Sequence, residues 1–238
     1  NGIPLSGQTK DTSRDRIERY QVLALSITGG FRMLTLTYPG WLFGHGFAVG
    51  GCAVFRNALP CGNPGGYLPY DVWGLLAHAC PTVEAIRQLT LDQGVMEGFH
   101  CTIADEQGGI LGVEAGSPGY AFLSPRRGLY AHTNHRLPDS TLAAVEGESV
   151  YGRRGSRQRL ARLQELLERD RGAITADSAW AALCDHAHYP DSLCSDARSQ
   201  GGSTTAAVIV EPTRQRMRVA RGLPCCNPPV TVTLIPEP

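Results

Sequence analysis

Residues 69–123 read PYDVWGLLAHACPTVEAIRQLTLDQGVMEGFHCTIADEQGGILGVEAGSPGYAFL, and a change of period inside this stretch decides the fold class. Apolar residues recur at helical spacing from Pro69 to Cys80. A second helix is predicted from Thr82 to Gln93, with Thr82 as N-cap and Glu84 in the first turn, where a carboxylate suits the helix dipole. The period then shortens. His100–Asp105, Gly109–Ala115 and Gly119–Leu123 read as short strands parted by glycine-containing turns, and Leu129–Asn134 is expected to close this meander.

Toward the N-terminus, Cys52–Phe55 reads as a buried strand and Gly44–Gly51 as a loop. Arg19–Ser26 and Phe31–Leu36 alternate apolar with polar around Gly29-Gly30, a hairpin pattern. Asn1-Gly2 is a strong two-residue hairpin signal, because both central positions of a type I′ turn need positive φ. Ile3–Gln8 then reads as a strand, so the expected partner strand lies upstream of Asn1. Toward the C-terminus, Leu160, Leu163, Leu166 and Leu167 stripe a helix over Ser156–Arg171, and Ala176–Asp185 is a shorter helix. Thr204–Glu211, Arg216–Ala220 and Val230–Ile235 read as strands. Strands and helices come in runs rather than in alternation. The reading is α+β, with antiparallel sheets between helical layers, in a single domain over residues 1–238.

Composition narrows function. The 238 residues carry 22 basic and 22 acidic side chains, with neither the basic excess of a nucleic-acid binder nor that of a membrane-surface binder. No apolar run reaches membrane-spanning length. Arginines cluster between Arg153 and Arg171, read as a solvated helix face. The eight cysteines follow no secreted-scaffold spacing, so reduced thiols in a cytoplasmic protein are expected. Cys184, His186, His188 and Cys194 offer zinc-type ligands, but their spacing matches no standard zinc pattern and is read as a structural loop. No metal is expected.

Several blocks resemble the β-chain of the acyl-coenzyme A:isopenicillin N acyltransferase-like family of N-terminal-nucleophile (Ntn) hydrolases. They are Asn1-Gly2 with Gly7-Gln8-Thr9-Lys10-Asp11, then Gly50–Leu59, Gly112-Val113-Glu114, Ala131-His132-Thr133-Asn134-His135, Ser156–Arg159, and Tyr189-Pro190 with Cys194. They fall in the family's order along nearly the whole chain. Two departures stand out: Thr9 replaces the family's Asn, and no Arg precedes the late strand in Gln200–Thr204. The resemblance implies a four-layer αββα sandwich. It also implies a nucleophilic cysteine freed by autocatalytic cleavage of a precursor, on the strand before Asn1 and roughly ten residues upstream.

The implied chemistry is hydrolysis of an amide, or acyl transfer, through a thioester, with the free α-amine as base and no cofactor. Asn134 is the candidate oxyanion donor and Asp11 the carboxylate that orients the amine. His132, Glu114 and Ser117 are candidates to line the substrate pocket. The implied partners are a small amide or acyl thioester and the cleaved α-chain or pro-segment, with a homo-oligomer left open. Two alternatives remain at this stage: a binding protein of the same fold without its nucleophile, and a zinc amidohydrolase built on Cys184–Cys194.

Overall fold

The computed structural model describes residues 4–41, 43–59, 61–142, 153–196 and 202–234. Two antiparallel sheets stack face to face. Strands β1 (Ser6–Thr12), β9 (Ser203–Glu211), β10 (Arg216–Arg221) and β11 (Val230–Thr233) form one sheet in the order β1-β9-β10-β11. The other is a seven-stranded meander in sequence order. It comprises β2 (Gln21–Ile27), β3 (Phe31–Thr37), β4 (His45–Ala48), β5 (Cys52–Asn57), β6 (Phe99–Asp105), β7 (Ile110–Gly116) and β8 (Gly119–Leu123).

Three apolar layers define four structural layers. Between the sheets, Leu34, Phe47, Phe55, Val208, Val210 and Met217 interdigitate. Outside the larger sheet, helices α1 (Tyr70–Ala79) and α2 (Val83–Gln93) pack Trp73 and Ile86 onto Val54, Phe99 and Val113. Outside the smaller sheet, helix α4 (Ala176–Leu183) packs Trp180 onto Ala207 and Ile209, and α3 (Arg153–Arg169) lies against α4 through Leu166 and Ala182. The result is the αββα sandwich.

Local chemistry sets the element ends. The Thr82 hydroxyl accepts from the Ala85 N–H at 3.2 Å and starts α2. Thr175 and Ser178 form a capping box at the start of α4. The Gly44–Gly51 segment is not a loop: His45–Ala48 is a strand, and a side chain on Gly46 would collide with the backbone of Leu34 and Thr35. Glycine there marks close strand approach rather than a turn. The reverse holds at Leu129–Asn134, which forms no strand beyond a single bridge between Arg126 and Leu129. Its backbone is held by side chains instead, with Asn57 Nδ2 donating to the Thr133 carbonyl at 2.9 Å. Strand β1 runs past the expected Gln8 to Thr12. The predicted turn at Asn1-Gly2 and the start of that strand at Ile3 lie outside the described residues.

The β1–β9 ladder slips once. Lys10 opposes Ala206 and Asp11 opposes Thr204, so Thr205 is an extra residue on β9. Its hydroxyl donates to the Lys10 carbonyl at 2.9 Å. Along β1, Gln8 and Lys10 turn toward the seven-stranded sheet, while Asp11 turns toward the α3–α4 side.

Candidate active site

A cavity of about 1330 Å³ opens between β1, the end of β5, the 129–134 segment and helices α3 and α4. Its far end is apolar, lined by Leu163, Leu167, Ala179, Ala182, Leu183 and Leu193. Polar groups gather at the other end: Asp11, Asn57, Asn134 and Arg159.

Asn134 is fixed from three sides. Its backbone N–H donates to Ser156 Oγ at 2.8 Å, its Oδ1 accepts from Arg159 Nη2 at 2.9 Å, and its Nδ2 donates to the Ala58 carbonyl at 3.1 Å. A carboxamide carries two N–H groups, so one donor remains for a ligand in the cavity. Asp11 Oδ1 accepts from Thr204 Oγ1 at 2.8 Å. Burial pushes the Asp11 carboxyl above its ordinary range, opposed by the Arg159 charge, the Thr204 hydrogen bond and Lys10. The structure thus brings Asp11 and Asn134 to one end of one cavity and adds Arg159 between them.

Arg159 is the residue that charge patterning misreads. A helix rich in arginine looks solvated, yet Arg159 points into the cavity. Three residues on, Arg162 pairs with Asp185 at 2.7 Å and with Glu165 at 2.9 Å. The Ser156–Arg159 block was the available signal: Ser156 holds the Asn134 backbone and Arg159 its side chain.

Glu114 and Ser117 do not reach the cavity, contrary to expectation. The Glu114 side chain is fully enclosed, with Oε1 accepting from the Leu137 N–H at 2.9 Å and lying 2.9 Å from His132 Nε2. Burial acts to raise its pKa, but the hydrogen bonds from His132, Ser140 and Leu137 hold it below the usual carboxylate value. Ser117 sits exposed in the β7–β8 turn. His132 contributes to the cavity wall, but its ring is sealed behind it, stacked 3.4 Å from His100 and with Nδ1 2.6 Å from the Thr133 carbonyl. These residues shape the 129–137 segment from behind.

Lys10, the chain's single lysine, was not anticipated as a site residue. His45 Nδ1 accepts from the Arg56 backbone N–H at 3.3 Å, which leaves the neutral ring's one proton on Nε2. His45 Nε2 lies 2.9 Å from Lys10 Nζ. Burial and the charges of Arg56 and Arg16 lower the Lys10 pKa to about 7.

None of the eight cysteines lines this cavity. Burial raises the thiol pKa of Cys61 and lifts that of Cys101 to about 12, the reverse of an activated nucleophile.

Two antiparallel sheets between helical layers, with a cavity at one end of the strands, define the Ntn-hydrolase fold. Solved structures agree. The chain is similar to penicillin V acylase from Agrobacterium tumefaciens, with a TM-score of 0.64 and 12% identity over 91% of this chain and 78% of that one. It is similar to a variant of conjugated bile acid hydrolase from Clostridium perfringens, with a TM-score of 0.60 and 12% identity over 91% and 80% of the two chains. A third similar structure is the N-acylethanolamine-hydrolyzing acid amidase ortholog of Caenorhabditis elegans, with a TM-score of 0.62 and 10% identity over 87% of each chain. No curated protein sequence matches. The model of the acyl-coenzyme A:6-aminopenicillanic acid acyl-transferase family matches residues 64–224, more than half of the chain, and the chain belongs to that family. Among the described residues, no helix is long and apolar enough to cross a membrane.

Proposed function

We propose that this chain is the body of an amide hydrolase or acyltransferase that works through a thioester on an N-terminal cysteine borne upstream of Asn1. The observation that carries this reading is the convergence of Asp11, Asn134 and Arg159 at the polar end of a cavity that none of the chain's own cysteines lines. β1 is an edge strand. A preceding strand paired along its open side would deliver a cysteine to that polar end.

In the first step the thiol sulfur attacks the amide carbonyl carbon while the free α-amine takes the thiol proton. The spare N–H of Asn134 donates to the oxyanion, and Arg159 holds the carboxamide in that orientation. Collapse breaks the C–N bond, the amine leaves with the proton from the ammonium, and a thioester remains. Water or a second amine then attacks the thioester and returns the thiol. Asp11 orients the α-amine. The apolar end between α3 and α4 suits an apolar acyl group. The similar structures are named for penicillin V, conjugated bile acids and N-acylethanolamines, substrates whose shared feature is an amide.

The test uses the full precursor, with its upstream cysteine intact or replaced by alanine. The intact precursor is expected to cleave itself, expose the cysteine and gain the mass of one acyl group on brief exposure to an N-acyl amide. Activity that survives the alanine replacement defeats the proposal.

A further inference from the structure

A second cluster shares no residue with the lining of the cavity. Cys184 caps the end of α4, His186 follows in the next turn, and Cys194 lies eight residues further on. Cys225 and Cys226 arrive from the turn after β10, far away in sequence. The fold gathers them. A ring nitrogen of His186 and the sulfurs of Cys194 and Cys225 all lie within 4.8 Å of one another. The Cys194 and Cys225 sulfurs are 3.5 Å apart, as are those of Cys225 and Cys226.

These spacings can be read as metal, disulfide or packing. Two thiolates on one tetrahedral zinc, each at about 2.3 Å, sit roughly 3.8 Å from each other. A disulfide would need the sulfurs at about 2.05 Å, and it would have no use for an imidazole. Cys194 is buried while His186 and Cys225 are exposed, so the cluster has both an anchored floor and a path for an ion.

We propose that His186, Cys194 and Cys225 bind a zinc ion, with Cys184 or Cys226 as the fourth ligand. Four protein ligands from the 184–194 segment and the β10–β11 connection make a closed, structural site rather than a catalytic one. Binding expels the thiol protons and joins the two segments. The 185–195 segment also supplies Pro190, Asp191, Ser192 and Leu193 to the cavity wall, so zinc here would hold that wall in place. The sequence pattern alone hides the site because Cys225 comes from a distant turn, and because His188, which spacing nominates, is not part of the trio.

The test is metal content of the full-length protein, purified without chelator and then reconstituted with zinc under reducing conditions. One zinc per chain is expected, with thiolate-to-metal charge-transfer bands when cobalt(II) is substituted. Cys225→Ser and His186→Gln change exposed residues and should weaken zinc at least about tenfold while the chain stays folded. Cys194→Ser should do the same, and whichever of Cys184→Ser and Cys226→Ser also weakens binding identifies the fourth ligand. Cys61→Ser and Cys80→Ser should leave zinc unchanged. A reduced chain that takes up no zinc overturns the proposal, as does cobalt binding indifferent to Cys194, Cys225 and His186. So does a Cys194–Cys225 disulfide that forms even when zinc is present throughout purification, found by non-reducing peptide mass mapping.

Discussion

Two polar clusters flank the 131–137 segment, and they differ in what they leave free. On one side Glu114, His132 and His100 are enclosed, with the two rings stacked and Glu114 Oε1 taken up by His132 and the Leu137 backbone. On the other, Asn134 keeps one N–H and Asp11 and Arg159 face open space. Histidine is the residue type that most readily suggests catalysis, yet here it clamps the chain together with Glu114. Asp11, Asn134 and Arg159 are left facing the cavity. Hydrogen-bonding capacity left unspent, more than residue type, separates the two roles.

The comparison breaks most sharply at Glu114. Glu114→Ala strips the acceptor from both the His132 ring and the Leu137 N–H inside a sealed site, with an expected loss of about 3–5 kcal/mol of stability. Thermal unfolding should show a Tm lower by roughly 10 °C. Asn134→Ala should behave in the opposite way, with kcat for amide cleavage down about 10²–10³-fold and Tm nearly unchanged. If Asn134→Ala loses stability but keeps kcat, the two clusters do not divide as argued. Arg159→Met should cost less, roughly tenfold in kcat, because it frees Asn134 to rotate without removing its donor. Steady-state kinetics alongside circular dichroism separates this from misfolding.

The finest test concerns charge. The folded pKa of Lys10 is about 7, below its ordinary 10.5, so between those values the unfolded chain binds more protons. Lys10 therefore makes stability rise with pH from about 7 to 10.5, by at most about 1.4 kcal/mol per pH unit, and its destabilising cost is fully present below pH 7. Lys10→Met should flatten that slope in unfolding curves measured across the interval. A slope unchanged by the substitution would show that the amine stays charged in the fold.

Much of the fold could be read from residues 69–123. Thr82 caps α2 as its chemistry requires, and the meander of β6, β7 and β8 follows the alternation. What failed was local inference about groups whose meaning is set at a distance. Gly46 looked like a turn because the strands it lets approach lie elsewhere in sequence. Leu129–Asn134 alternates like a strand, yet its backbone partners are the side chains of Asn57 and Ser156. Asp11 and Asn134 could be nominated from resemblance, and the structure places them at one cavity. Arg159 could not be told from its neighbours on α3, since helical periodicity records which face a residue occupies and not what it meets there. Cys225 was likewise invisible as a partner of Cys194.

The extra residue in β9 sets a parity. Below it, Ala206 and Val208 face the inter-sheet core while Ala207 and Ile209 face α4. Strict alternation would turn Thr204 inward with Ala206. Because Thr205 is inserted into the count, Thr204 instead faces outward and its hydroxyl meets Asp11. The position of a carboxylate contact is therefore an odd–even property of the strand. Removing Thr205 would leave an unbroken ladder with Thr204 still opposite Asp11, so the extra residue is what lets Thr204 and Ala206, two apart in sequence, serve opposite sides of the sheet.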